Sequence, residues 1–359
     1  MKGTFTKRVF LSILLIVLCA CAAVPQPERT PAPVETPAAP SAEAESVTEQ
    51  PRTPEPTPIP TPEPTEVPTP APTPTPSPTP TPDPRFTMVW ASDTQAMLSQ
   101  PRMNQGFSAL CGWVLENADA MRIAAFLHTG DMVDNGDKQG QWDLFNDGTA
   151  PIREKMLFFW AAGNHDEGYS NKSPWKKQPF VTAFPEEQKL NGGDACYAVL
   201  TVYETRLLLL SVSWRRMQNS KTLAWLREVC DAHGDLPAIL IAHGYLSAKG
   251  ERIHAAEKLE NELVAECPNI RLVLSGHARG IAHAAFTYDD DGDGIAERTV
   301  NALMYDVQED KLRYGYVCIL SYDPASGTLS VDSYSPLRDD YLYDDLHPDL
   351  ERFTLHDVF

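Results

Sequence analysis

The sequence predicts a mixed α/β fold for residues 85–336, and two observations lead to this prediction. Short apolar runs of strand length alternate along the chain with amphipathic stretches. Five of the apolar runs are followed by an acidic, amide or imidazole side chain. Because binding sites of open α/β sheets gather at the carboxyl ends of strands, these five points are expected to converge through right-handed strand–helix–strand crossovers.

The predicted elements follow one another in a regular order. Strands are expected at 86–92, 123–128, 156–162, 195–202, 206–212, 238–242, 271–275, 282–287 and 299–304. The fourth and fifth of these are expected to form a hairpin. Helices are expected at 107–118, 223–230 and 253–265. Residues 300–308 and 314–320 are predicted to pair as neighbouring strands, and residues 337–359 to form a solvated acidic extension packed on the domain.

The charge of the chain limits its partners. The formal net charge is −19, which argues against general binding of nucleic acid. A small phosphate substrate is compatible with this charge, because a bound cation reverses the local sign. No apolar run after the N-terminal segment is long enough to cross a bilayer.

Residues 1–20 have the composition of an export signal, with basic residues before a short apolar stretch over 9–18. The sequence Leu18-Cys19-Ala20-Cys21 resembles the lipobox of bacterial lipoproteins. The resemblance implies that Cys21 is lipidated and that its two acyl chains anchor the protein to the outer face of the cytoplasmic membrane, at the bacterial cell surface. An ordinary signal peptide, giving a secreted product, is the alternative.

Residues 21–84 are predicted to form a disordered, proline-rich stalk behind that anchor. The segment 22–84 contains 22 of the 32 prolines and almost no large apolar residues. Such a composition cannot bury enough apolar surface to offset the entropy of ordering, and proline favours extended polyproline II. The segment is either a spacer between membrane and domain or a passive linker, and both give the same mechanics.

Five cysteines lie in the part of the chain that is predicted to fold: Cys111, Cys196, Cys230, Cys267 and Cys318. An odd number cannot pair completely within one chain. Their apolar surroundings predict small buried side chains, and one disulfide remains open in an exported protein.

Four of the strand-end residues have side chains that suit first-row transition metals. Asp131, Asn164, His243 and His277 offer a carboxylate, an amide oxygen and two imidazoles. A glycine beside each of them allows the backbone to turn sharply after the strand. Any one of these pairs is common, whereas the ordered set indicates a metal site.

The ordered motifs resemble those of the calcineurin-like metallophosphoesterases over residues 86–335. The motifs are Asp93-Thr94-Gln95, Gly130-Asp131-Met132-Val133-Asp134-Asn135-Gly136, Gly163-Asn164-His165-Asp166, His243 and Gly276-His277. The resemblance implies a four-layer α/β/β/α sandwich of two mixed sheets with one or two divalent cations (Mn, Fe or Zn) between its loops.

The resemblance also implies a role for each matching residue. Asp131 bridges two cations, and Asn164, His243 and His277 complete one site. Asp93 and Gln95 contribute to the other. His165 protonates the leaving group, and Asp134 orients His165. A phosphate mono- or diester is then hydrolysed by a metal-bound water.

Two positions depart from the family pattern, and both affect the same cation. The motif that is usually Asp-x-His reads Asp93-x-Gln95, and the usual Gly-His-x-His has Arg279 in its last place. Glutamine ligates more weakly than imidazole, and arginine has no lone pair to give. The second cation binds weakly with substrate, or Arg279 clamps the phosphate in its place, or the centre is degenerate. His283 is either a replacement ligand or an ordinary strand residue, and the second interpretation is preferred.

An acidic turn predicted between two strands has the start of a calcium loop. Asp289, Asp291 and Asp293 are spaced as in such loops, but Val300 occupies the position of the expected bidentate glutamate. Glu297 is a partial substitute. A structural calcium site and a plain acidic turn both fit this pattern.

The function expected from these residues is hydrolysis of a small phosphate ester outside the cell. Retained Asp131, Asp134 and His165 favour activity, and the substrate and oligomeric state are left open. The loop 167–194 has no readable substrate preference: Trp175 and Lys176 either contact substrate there or are incidental residues of an exposed loop. The alternative is a degenerate, non-catalytic surface protein that binds a ligand or wall component.

Overall fold

Two mixed β-sheets face each other in the computed structural model, which describes residues 83–170, 172–308, 314–344 and 346–359. These residues belong to one unit, Ser77–Phe359. The predicted export signal and Cys21 lie outside the described residues, as does the proline-rich stalk up to residue 82. No helix within the described ranges is both long and apolar enough to cross a membrane.

The described strands, in chain order, are β1 (Phe86–Ala91), β2 (Ile123–His128), β3 (Leu157–Trp160), β4 (Lys189–Leu190), β5 (Ala195–Val202), β6 (Thr205–Val212), β7 (Ala238–Ala242), β8 (Ile270–Ser275), β9 (Gly280–Tyr288), β10 (Arg298–Asp306), β11 (Val317–Asp323), β12 (Thr328–Ser335), β13 (Asp340–Tyr341) and β14 (Phe353–His356). The α-helices are α1 (Gln95–Ser99), α2 (Asn104–Asn117), α3 (Gln139–Lys155), α4 (Pro179–Thr182), α5 (Ser220–Ala232) and α6 (Glu257–Leu259). Short 3-10 turns lie between them.

The first sheet has the order β13-β12-β11-β1-β2-β3, with β14 also paired to β12. The second sheet has the order β4-β5-β6-β7-β8-β10-β9. Parallel strands form one end of the first sheet, β1, β2 and β3, and the centre of the second, β6, β7, β8 and β10. The carboxyl ends of these strands therefore supply the loops that build the site.

Four layers are visible in the packing. The ring centroids of Phe145 in α3 and Phe158 in β3 lie 6.1 Å apart, so the helices α2 and α3 cover the first sheet. Trp90 of β1 lies 5.8 Å from Tyr305 of β10, so the other face of that sheet packs on the second sheet. Helix α5 buries Leu223 and neighbouring apolar residues against the outer face of the second sheet. The predicted α/β/β/α sandwich of two mixed sheets is confirmed.

One predicted strand pairing is wrong. The sequence predicts that 300–308 pairs with 314–320, but β10 and β11 belong to different sheets. Strand β10 has β8 on one side and the antiparallel β9 on the other, so both of its edges are already hydrogen-bonded. Strand β11 instead extends the first sheet beside β1.

Two helices also differ from expectation. The helix expected over 253–265 is broken into a 3-10 turn (His254–Ala256), α6 and a π-turn (Glu260–Val264). Glu260 begins the π-turn; it is buried, and its carboxylate accepts hydrogen bonds from Tyr245 and Tyr288. Helix α3 was not predicted, since Gly140, Gly148 and Pro151 interrupt its apolar pattern.

The C-terminal residues contribute to the first sheet. Within the segment expected as a solvated extension, β13 and β14 each pair antiparallel with β12. The five cysteines Cys111, Cys196, Cys230, Cys267 and Cys318 are all buried and form no disulfide, as expected for small apolar side chains.

Candidate metal centre

Five loops bring polar side chains together at the carboxyl edge of the two sheets. The residues that follow β1, β2, β3, β7 and β8 are Asp93, Asp131, Asn164, His243 and His277. Main-chain hydrogen bonds tie these loops to one another: Asp93 N–H donates to the Gly130 carbonyl at 3.0 Å, and Gly276 N–H donates to the His243 carbonyl at 2.8 Å. The spatial convergence expected from the sequence is thus a feature of the fold.

The backbone at these loops is strained in a way that is common at functional sites. Asp93, Asp131 and His277 have φ values of 53°, 51° and 69°. Residues with a Cβ atom rarely adopt this left-handed region, and each costs about 1 kcal/mol or more. The surrounding structure holds all three residues in this conformation.

His243 is the centre of the group. Its Nε2 atom lies 3.2 Å from Asp131 Oδ2, 3.1 Å from Asn164 Oδ1 and 3.2 Å from His277 Nδ1. Its Nδ1 atom lies 3.0 Å from the Thr129 carbonyl. A carbonyl can only accept, so Nδ1 carries a hydrogen and the ring presents Nε2 to the other three side chains.

The charges in this group are strongly coupled. Burial by itself lowers the pKa of His243, but the carboxylate of Asp131 and other nearby acids raise it to about 10. Burial and the positive charge of His243 lower the pKa of His277 to about 4. The pKa of Asp131 is lowered despite burial, chiefly by His243. In the protein alone, a proton on His243 Nε2 is therefore surrounded by three acceptors.

A divalent cation fits the position of that proton. Asp131, His243 and His277 each offer a ligand atom, and these atoms lie within 4.8 Å of one another. Carboxylate oxygen, amide oxygen and imidazole nitrogen are the donors that Mn, Fe and Zn accept. The contact between His243 Nδ1 and the Thr129 carbonyl is the support that ligating histidines usually have.

Close backbone packing shapes the centre. A Cβ atom added to Gly276 would lie 2.0 Å from Asp93 Oδ2, and one added to Gly163 would lie 2.2 Å from Asp131 Oδ1. Both distances are below any real Cβ contact. These two glycines therefore let the ligand carboxylates approach the neighbouring loops.

Asp93 and Gln95 lie beside this group, at the end of β1. Asp93 is buried and accepts hydrogen bonds from the Ser92 hydroxyl and from His277 N–H, the latter at 3.1 Å. Burial, followed by the charge of Asp306, raises the pKa of Asp93 well above its usual range. Gln95 N–H donates to the Asp131 carbonyl at 3.0 Å, while its side-chain Oε1 is buried without a hydrogen-bond partner.

His165 lies on the open side of Asp131. Its main-chain N–H donates to Asp131 Oδ1 at 2.8 Å, and its Nε2 lies 3.9 Å from Asp131 Oδ2. Nδ1 lies 2.7 Å from the main-chain carbonyl of Asp134 and 3.6 Å from its carboxylate. Asp134 therefore contacts His165 as expected, but mainly through its backbone oxygen, which any residue type would provide.

Sequence reasoning missed two residues next to the centre. Asp306, the last residue of β10, is buried with Oδ1 unpartnered, and burial raises its pKa to about 6. The signal was present, since Asp306 follows an apolar strand like the other five residues. The ring of Trp214 lies 4.4 Å from that of His277 and forms one wall. Arg279, whose charge acts on Asp306, lies near the same edge.

Other predicted residues lie elsewhere. The acidic turn between β9 and β10 groups exposed carboxylates of Asp289, Asp291 and Asp293 with Glu297. Their oxygens also accept main-chain hydrogen bonds from within the turn, and calcium binding there stays a prediction. His283 stacks on Phe353 at 4.8 Å, as expected of an ordinary strand residue.

The suggestion that Trp175 contacts substrate is wrong. Its side chain is 1% exposed and packs against Gly193 and Val181, where an added Cβ on Gly193 would lie 2.9 Å from the ring. Lys176 forms an ion pair with the buried carboxylate of Asp194. Both residues hold the loop to the domain, which the pattern of an apparently exposed loop did not reveal.

The sequence is similar to those of known proteins. A sequence model of a family described as calcineurin-like phosphoesterase matches residues 86–278. The Bacillus subtilis (strain 168) protein named "Uncharacterized protein YvnB" is 29% identical over 281 residues, which are 75% of this chain. This chain spans 21% of the length of that relative.

Two solved structures were compared with this chain. Purple acid phosphatase PPD1 from yellow lupin (Lupinus luteus) seeds aligns with a TM-score of 0.51 at 13% identity, over 76% of this chain and 54% of that one. A dimetal phosphatase from Danio rerio aligns with a TM-score of 0.49 at 12% identity, over 76% of this chain and 99% of that one. At 13% identity, the similarity to purple acid phosphatase PPD1 supports the fold alone.

Proposed function

The chain belongs to the calcineurin-like phosphoesterase family, and on that premise we propose that it hydrolyses a small phosphate mono- or diester with the help of a divalent transition metal. The observation that carries the proposal is the arrangement around His243 Nε2. Asp131, Asn164 and His277 each present an acceptor atom to it at 3.1–3.2 Å. A cation held there would supply the positive field that activates water and offsets charge on the phosphoryl group.

His165 is the general acid of this proposal. Its Nδ1 is held by the Asp134 carbonyl, so the opposite nitrogen, Nε2, faces the open side of the centre. The side chain is 32% exposed, which leaves it accessible to a substrate. Protonated Nε2 can donate to the leaving alkoxide, and the Asp134 carboxylate lies 3.6 Å from Nδ1.

Arg279 binds the substrate phosphate in this proposal. It follows His277 by two residues at the same edge, and a guanidinium binds phosphate oxygens in a bidentate manner. Arg279→His should raise KM by about tenfold or more, since a hydrogen bond to a charged group contributes about 1.5–3 kcal/mol. A higher rate in this variant would mean instead that Arg279 replaces a metal ligand.

The decisive test is turnover by the full-length chain. After treatment with a chelator, the protein should hydrolyse aryl phosphate esters only when Mn, Fe or Zn is added. His165→Gln should slow turnover about 10²- to 10⁴-fold while metal content is retained. His254→Gln is the matched control, because the His254 side chain is 93% exposed and outside the centre.

The outcomes separate enzyme from binding protein. Asp131→Asn should lose both bound metal and turnover, because it removes the charge that His243 and the cation share. A chain that is inactive with every metal, yet binds a ligand tightly, would show the non-catalytic alternative to be correct.

We also propose that the chain is exported and held at the bacterial cell surface through lipidated Cys21. The support is the sequence: an export signal, a lipobox-like tetrapeptide and a proline-rich segment. Cys21→Ala should abolish incorporation of labelled fatty acid and move the protein from the membrane fraction to the medium. Unchanged labelling in Cys21→Ala would exclude this anchor.

A further inference from the structure

Two buried oxygens at the metal centre have no hydrogen-bond partner; one lies in α1, after a strand of the first sheet, and the other ends a strand of the second. Gln95 Oε1 follows β1, and Asp306 Oδ1 ends β10; both residues are 4% exposed. Among the described residues, only two other buried side-chain atoms are unpartnered, on Asn146 and Trp175. A buried polar atom left unpaired is costly, so each case requires a physical explanation.

The position of Asp306 follows from strand register. Strand β10 runs parallel to β8 with Met304 opposite Ser275, and antiparallel to β9 with Asp306 opposite Gly280. Asp306 therefore lies two residues beyond the end of β8, beside the turn that carries His277. Its charge acts on Asp93, and the charges of His243 and Asp131 act on it.

Four buried carboxyl groups lie at this edge, those of Asp93, Asp131, Asp166 and Asp306. Asp166 accepts hydrogen bonds from two main-chain N–H groups, and the charge of Arg279 acts on Asp306. Glu351 is a buried acid with a structural role, and it serves for comparison. Its oxygens accept hydrogen bonds from the Ser333 hydroxyl and from Tyr343 N–H. Asp306 Oδ1 has no such donor.

We propose that Asp306 is a ligand of a second divalent cation, held together with Asp93 and Gln95 beside the cation of His243. This proposal rests on the proposed function. It adds a ligand from a strand that carries none of the predicted motifs, in the place left by Gln95 and Arg279. All three donors are oxygens, so this position favours Mn²⁺ or Mg²⁺, whereas the imidazoles of the first position favour Zn²⁺ or Fe.

The test is metal binding, measured independently of turnover. The full-length chain, stripped with a chelator, is titrated with Mn²⁺ by calorimetry and examined by electron paramagnetic resonance. The wild type should bind two Mn²⁺, with the spectrum of a magnetically coupled pair. Asp306→Ala should bind the second Mn²⁺ at least about tenfold more weakly and lose the coupled spectrum, while the first site changes little.

Two further variants protect this test from a folding defect. Asp306→Asn preserves the shape and removes the charge, so it should weaken the second Mn²⁺ and raise the melting temperature of the metal-free protein. Glu351→Gln is the control, a buried acid in the same fold, and it should lower that temperature and leave Mn²⁺ binding unchanged.

Three results would overturn the inference. They are an unchanged second Mn²⁺ affinity in both Asp306 variants, a Glu351→Gln effect on Mn²⁺ equal to theirs, and a wild type that binds one Mn²⁺. A wild type that binds one cation and hydrolyses esters would leave the proposed function intact. A wild type that binds no cation would remove both.

Discussion

Gly163→Ala should disable the metal centre, although it replaces none of the proposed ligand residues. In Gly163→Ala, the new Cβ would lie 2.2 Å from Asp131 Oδ1 and 2.3 Å from Asp131 N. Real Cβ contacts essentially never fall below 3.0 Å, so the two loops must separate by about 0.8 Å. One of the atoms is backbone, so a rotation of the Asp131 side chain cannot relieve the overlap.

The size of the effect follows from that displacement. Metal–ligand distances tolerate changes of about 0.2 Å, so a shift of about 0.8 Å removes Asp131 from any shared geometry. Overpacking of this kind costs about 1–3 kcal/mol of folding free energy. Misplacement of a reacting group by about 1 Å costs about 10²-fold in rate.

The assay combines urea unfolding, metal content and ester hydrolysis on the same preparation. Gly112→Ala is the matched control: nothing lies within 4 Å of a Cβ there, and the residue is inside α2. That control should be neutral or stabilising by up to about 1 kcal/mol. If Gly163→Ala kept wild-type metal content and rate, the close approach of the two loops would have no role in the centre.

Three further predictions follow from the hydrogen bonds and pKa values. Asn219 Oδ1 caps α5 by accepting a hydrogen bond from Thr222 N–H at 3.1 Å. Asn219→Ala should therefore lower the free energy of unfolding in urea by about 1 kcal/mol and leave hydrolysis unchanged. An unchanged unfolding midpoint would refute this. Burial raises the pKa of both Cys111 and Cys196 to about 12, so neither thiol should react with an alkylating agent at pH 8 until the protein is unfolded. Since the pKa of His243 is raised to about 10, Mn²⁺ binding at pH 8 should release about one proton, and Mn²⁺ affinity should increase with pH up to about 10. Calorimetry in buffers of different ionisation enthalpy measures the proton release. Zero release would contradict the assignment of His243 as a ligand.

The elements that the sequence predicted well are those whose pattern is local. Strands β2, β5 and β7 have the predicted bounds, because continuous or alternating apolar runs of this length are sufficient to identify a strand. Helix α3 could not be found in the same way. Its buried residues Trp142 and Phe145 have helical spacing, but Gly148 and Pro151 weaken the local preference, and only packing against the first sheet stabilises the helix.

Long-range choices needed the fold. Strands β10 and β11 have equally good strand patterns, and which neighbour each one pairs with depends on edges already occupied by other strands. The same holds for Trp175, whose burial depends on Gly193 eighteen residues later. An apolar pattern shows that a residue will be buried, but it does not identify the residue that covers it.

For the site, the sequence alone determined which side chains follow the strands, in what order, and hence the kind of metal they suit. Only the tertiary structure decided that His243 presents Nε2, that Asp134 holds His165 through its backbone carbonyl, and that Asp306 lies buried beside the centre at the end of β10. The reason is physical: ligand chemistry belongs to single residues and is written in the sequence. Tautomer and unpaired buried atoms depend on neighbours that folding brings together from 31 to 114 residues away, as for His165 with Asp134 and His243 with Thr129.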